Sequence, residues 1–140
     1  DLLTGFRVHG IFPRNAVVNY PVQGSAFHCL LWCLIRINRL LRKYHMKSMI
    51  VGQIHDSMVG DVKIDELRQY LEIVEQVTTQ DLRRSYRWLV VPLEIEYEVC
   101  PVGASWYEKK PVLFRRGRFH HPKYPDKTCR NPIKFLNALK

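Results

Sequence analysis

The 140-residue sequence contains no apolar run long enough to cross a bilayer, so it does not read as a helical membrane protein. It starts at Asp1 rather than Met, with no basic segment and apolar core behind it, and no secretory leader is visible. The expectation is a soluble, intracellular piece cut from something longer. Cysteine is scarce. Cys29, Cys33, Cys100 and Cys129 are too few for a disulfide scaffold and fit no familiar zinc spacing, which leaves reduced thiols as the expected state. Cys29 and Cys33 would share one helical face. Cys129 falls near His120 and His121, where a metal knot competes with plain core or loop roles. No internal repeat is present.

Acidic residues are also few, and the shortage is local. Net charge is +9, yet residues 111–140 hold eight Lys or Arg against the single acid Asp126. Phe114, Phe119, Tyr124 and Phe135 interleave with these charges, and Pro122, Pro125 and Pro132 break the stretch. A basic, aromatic segment suits a polyanion such as nucleic acid, with Arg115, Arg116 and Arg118 as candidate DNA contacts. The competing readings are a solvated, half-ordered tail, and a segment whose aromatics pack on the rest of the polypeptide with the charges as its solvated exterior.

What the sequence does have is a globular balance, 46% hydrophobic and 11% aromatic, enough for one small core. Residues 5–12 alternate enough for a short strand. From Ala16 to Tyr44 the pattern is helical, with Phe27, Leu30, Leu31, Leu34, Ile37 and Leu41 on one side and Arg36, Arg39, Arg42 and Lys43 on the other. Pro21 either kinks this helix or starts its longer half. Residues 49–62 predict two strands, and Ile64, Leu67, Leu71, Val74 and Thr78 mark a second amphipathic helix. The stretch PLEIEYEV predicts a strand with one wet, acidic face, and a linker is expected around Lys109 to Pro111. The fold class is α+β: an antiparallel sheet with a hairpin, backed by two long helices over residues 1–110, and a basic C-terminal tail over 111–140.

Two clusters carry chemistry. If 49–54 and 58–62 pair, His55-Asp56-Ser57 form the tip of the hairpin, where rigid strands would hold Asp56 out to grip a cation; an ordinary turn is the plainer account. In NYPVQG, Asn19 and Gln23 lie one helical turn apart, and their amides suit the base edges of a duplex minor groove. Gly24 and Ser25 would keep the next step of that surface small. Taken singly, these residues could simply cap and kink a helix.

Together, NYPVQGSA, a long helix, MIVGQIHDSMVGDV, an amphipathic helix and VPLEIEYEVCPVGASW resemble the C-terminal palm region of family A DNA polymerases, from about Gly5 to Trp106. The resemblance implies template-directed DNA synthesis with primer-template DNA and dNTP as partners and two Mg2+ ions as cofactors. It implies that Asp56 is a metal ligand, that His55 lies beside the primer terminus, and that Asn19 and Gln23 track the minor groove. Arg7 receives no definite contact. Two positions depart from the family pattern. Ser57 stands where Glu is usual, a form typical of single-subunit RNA polymerases, and Asn15 occupies a position that is often basic or aromatic.

Two divalent ions about 4 Å apart need a cage of carboxylates. Asp61 and Asp65 are poorly placed to supply it, and the partner aspartate and the triphosphate-binding helix of the family are not in this sequence. The expectation is half of an active site, to be completed by a missing N-terminal polymerase portion. The alternatives are a piece of a single-subunit RNA polymerase and a non-catalytic DNA-binding module.

Overall fold

The computed structural model describes residues 1–121 and 124–138, with side chains described outside 121–126 and before 137. Its longest element is α1 (Arg14–Lys43), 30 residues that pass through Pro21 without ending. Arg42 and Lys43 in the last turn suit the negative end of the helix. β1 (Met49–Ile54) and β2 (Ser57–Asp61) follow as an antiparallel hairpin. A tight turn at Ile64–Glu66 leads into α2 (Leu67–Gln76), then a wide turn at Val77–Asp81 and the short α3 (Leu82–Ser85). Thr78 Oγ1 donates to Val74 O (2.7 Å) and Thr79 Oγ1 to Glu75 O (2.6 Å), back-bonds that loosen the helical ladder where it widens. The second helix is therefore a broken path rather than one long rod.

The remaining strands are β3 (Tyr97–Val99), β4 (Lys110–Arg115), β5 (Arg118–His121) and β6 (Tyr124–Cys129), and the last helix is α4 (Pro132–Ala138). The strands form two sheets, β1-β2 and β3-β4-β5-β6, where a single sheet was expected. Of PLEIEYEV only Tyr97–Val99 pairs, opposite Lys110–Val112. Pro92 offers no N–H, and Leu93 is exposed. The expected strand at 5–12 is absent. Gly5 and Gly10 take φ of 84° and 143°, which breaks the extended run.

Residues 110–115, expected as the end of a linker and the start of a tail, are β4. Phe119 is fully buried, 5.0 Å from the Phe114 ring and 4.9 Å from that of Phe135, and all three belong to the same core as α1 and α2. Lys123, Lys140 and the side chain of Tyr124, counted with the basic segment, lie outside the described residues.

The core face of α1 is Ser25, Cys29, Cys33, Ile37 and Leu41; Ile37 and Leu41 were expected there, whereas Ser25, Cys29 and Cys33 take the places expected of Phe27, Leu30, Leu31 and Leu34. The core-facing residues recur at intervals of four, and the small side chains at 25, 29 and 33 leave room for neighbouring elements to come close. Leu30 and Leu34 are half-buried, while Phe27, Leu31 and Ile35 are exposed, as are Val18 and Val22 nearer the helix start. Met49, Val51 and Ile54 of β1 are exposed too. Cys29 and Cys33 share the buried face as expected, and burial raises both thiols, Cys33 to about 12. No described helix is long and apolar enough to cross a membrane.

Candidate active-site hairpin and nucleic-acid face

The β1-β2 hairpin closes with His55-Asp56 between the paired residues Ile54 and Ser57. Two-residue hairpin turns require a positive φ, usually supplied by Gly or Asn; here His55 takes φ of 51°. The turn is tied from both sides. Gln53 Nε2 donates to His55 O, and Ser57 Oγ donates to Ile54 O (2.8 Å). The Ser57 hydroxyl thus has a local partner within the turn. His55 and Asp56 stand exposed at the tip.

The base of the hairpin is clamped. Glu66 accepts from Lys47 N (3.0 Å), Ser48 N (2.9 Å) and Ser48 Oγ (2.6 Å), while the same Ser48 Oγ accepts from Lys63 N (3.1 Å). Ser48 precedes β1 and Lys63 follows β2, so one buried hydroxyl joins both ends of the hairpin to the turn before α2. The Ser48 hydroxyl and amide, then the Lys47 amide, hold the Glu66 carboxyl below its ordinary value. Higher up, Gly60 of β2 faces Tyr70 of α2 so closely that any Cβ would meet the phenol oxygen. Val51 is an extra residue, since Ile50 pairs with Gly60 and Gly52 with Val59; such a bulge bends the strand.

Asn19 and Gln23 lie in the first half of α1, one turn apart and both exposed. Met49, Ile50 and Gln53 of β1 line a groove together with Leu34, Ile35 and Asn38 of α1. Gln23 lies about three turns before Leu34 along α1. No hydrogen bond or ion pair joins the two clusters among the described residues. Gly24 and Ser25 face inward rather than onto the amide surface: a Cβ on Gly24 would meet Leu2 Cδ1 at 2.8 Å, and Ser25 Oγ donates to Pro21 O (2.5 Å). Arg7 pairs with Asp1 (3.1 Å) at the surface, and Asn15 is exposed.

Arg115, Arg116 and Arg118 surround the β4-β5 turn, all exposed. Arg116 and Gly117 take φ of 50° and 72°, and the turn leans on α2, where Arg116 N donates to Glu75 Oε1 (3.4 Å).

Among the described residues no group of three or more His, Cys, Asp or Glu could hold a metal ion. Asp56 offers a single carboxylate, so these residues do not by themselves make a magnesium site. The suggested metal knot finds no support among them either: Cys129 Sγ lies 3.4 Å from Asn131 O, and the His121 side chain lies outside the described residues. The Glu66–Ser48 clamp escaped sequence reading, because its partners are 18 residues apart; the only hint was an acid at the start of the second helix.

The chain thus combines a hairpin that carries an exposed His-Asp turn with a long helix that bears two aligned amides. Residues 8–108 match DNA polymerase family A, and the chain belongs to that family. It is 32% identical over 105 residues to DNA polymerase I of Lactococcus lactis subsp. cremoris (strain MG1363), a match covering 75% of this chain and 11% of that protein. It is 28% identical over 99 residues to DNA polymerase I of Chloroflexus aurantiacus, covering 71% and 10%. The DNA polymerase I of Bacillus caldotenax is 26% identical over 99 residues, with the same coverage of 71% and 10%. The chain thus spans about a tenth of the length of these curated relatives. No solved structure matches it.

Proposed function

We propose that this chain is the C-terminal part of a polymerase palm, covering about residues 1–110, that supplies one metal-binding carboxylate and the minor-groove contacts to template-directed DNA synthesis. The observation that carries this reading is the His55-Asp56 turn, lifted clear of the strands and anchored through Ser48 and Glu66, inside the stretch that matches the family. Asp56 is then one ligand of a site whose other carboxylates come from polypeptide outside these 140 residues. When bound, two Mg2+ ions would supply charge stabilisation for the attacking and leaving oxygens. The chain's own residues hold and orient. The positive-φ turn fixes Asp56, and His55 stands beside it next to the primer terminus. Asn19 and Gln23 donate to and accept from base edges, and Arg115, Arg116 and Arg118 meet the phosphate backbone. The partners are primer-template DNA, dNTP and the rest of the polymerase, inside the cell wherever DNA is replicated. The relatives' names favour DNA over RNA synthesis; Ser57, whose hydroxyl donates to Ile54 O within the turn, is the one feature that favours the RNA alternative.

The test is primer extension by the assembled polymerase. Asp56→Asn should lower the rate by about three decades, several kcal/mol of transition-state stabilisation, while primer-template binding stays near the parent's. Ser57→Ala should cost far less. Equal losses from the two substitutions would reject Asp56 as the metal ligand. The 140 residues alone should extend no primer.

A further inference from the structure

Beyond α2 the chain builds a second basic surface that the hairpin does not use. Arg83, Arg84 and Arg87 line an open groove of about 460 Å3, with Gln80 at its side and Leu89 and Val90 as apolar wall. Two of the three arginines are held in position. Arg84 pairs with Asp81 at 3.6 Å, a carboxylate only 12% exposed that is shared with Arg36 at 3.6 Å. Arg83 Nη2 donates to Val90 O (3.3 Å) and so spans from α3 to the loop that follows. Arg87, in that loop, has no hydrogen-bond or ion-pair partner among the described residues. No carboxylate lines the groove, and the nearby Asp81 is already divided between two guanidiniums.

Cations at a helix C-terminus commonly just offset the helix dipole. That accounts for Arg83 and Arg84 in the last turn of α3 but not for Arg87, which lies beyond the helix, nor for the groove they share. Guanidiniums converging on one open groove suit phosphate oxygens, which they bind through paired N–H donors. Trp88, between Arg87 and Leu89 in the same loop, does not line the groove itself but is 37% exposed, an aromatic next to the site of the kind on which bases stack.

We propose that Arg83, Arg84 and Arg87 form a phosphodiester site that holds the backbone of a single-stranded nucleic acid. The site does not depend on the polymerase reading, because it is tested by binding to the 140-residue chain and not by synthesis. A fluorescent oligothymidylate is titrated with the full chain across a salt series. Each phosphate neutralised on a single strand contributes about 0.7 to the slope of log K against log salt, so Arg87→Gln should flatten the slope by about 0.7 and the triple Gln variant by roughly 2. Arg39→Gln, an exposed charge on α1, should change the slope less than Arg87→Gln. If the triple variant loses its fold by circular dichroism, the Arg87 substitution alone carries the test, since that side chain supports no other. Slopes that are unchanged, or that fall equally for Arg39 and Arg87, would overturn the site. If, in a parallel titration with inorganic phosphate, the Arg87 variant weakens only phosphate binding while strand binding stays as in the parent, the strand is overturned as the occupant.

Discussion

The Tyr97 hydroxyl is buried with no hydrogen-bond partner among the described residues, and its ring stands edge-on to Phe114 at 6.2 Å. Burial, with the Glu75 charge adding to it, pushes its ionisation far above the ordinary tyrosine range, so the group stays neutral and only its desolvation counts. A buried unpaired hydroxyl costs about 1–3 kcal/mol, and replacing it by hydrogen keeps the ring packing. Tyr97→Phe should therefore stabilise the isolated chain by about 1 kcal/mol, raising Tm by about 3 °C in a thermal melt. A lower Tm would mean the hydroxyl has a partner after all. The same reasoning separates Asp56 from Ser57 at the hairpin tip. Both are exposed, but the hydroxyl is occupied within the turn while the carboxylate has no hydrogen-bond or ion-pair partner among the described residues.

At the level of elements, the hairpin depends on its clamp. The folded-state ionisation of Glu66 is depressed, so its contribution is fully present above the ordinary carboxyl value and is lost as pH falls through the lower folded value. Denaturation midpoints measured from about pH 5 to pH 3 should fall more steeply for the parent than for Glu66→Gln, whose amide has no such proton linkage. Parallel profiles would show that the Glu66 charge adds nothing to the fold. Much of this layer was legible beforehand. α1 and the two strands followed from a period near 3.6 and from apolar runs broken by His-Asp. The core side of α1 was misread because Ser25, Cys29 and Cys33 did not count as core residues, whereas their small volume is what suits that side. The 5–12 stretch alternates like a strand, yet strands need partners, and no local pattern reveals that none is near. Asp56 could be singled out because it interrupts a pattern; the clamp that positions it depends on a contact no pattern encodes.

For the whole molecule, the C-terminal strands favour packing of the basic segment's aromatics over a free tail. Charge and proline suggested a tail, but Val112, Phe114, Phe119 and Phe135 complete the core while the arginines stay outside. Phe119→Ala should cost about 3–5 kcal/mol, read from chemical denaturation of the whole chain as a single transition. A loss confined to a second, separate transition would make residues 111–140 an independent unit.

The apolar residues left uncovered along α1 and β1, Val18, Val22, Phe27, Leu31, Ile35, Met49, Val51 and Ile54, set how the isolated chain behaves as a solute. Two tendencies oppose each other. A net charge of +9 keeps copies apart, but only across a screening length of about 10 Å at 0.1 M salt, while contact between apolar stripes gains strength on warming. Sedimentation should therefore find single chains in cold, dilute buffer and growing assemblies as salt and temperature rise, reversing on cooling. A sedimentation coefficient indifferent to both would mean that the stripe is too fragmented to drive association.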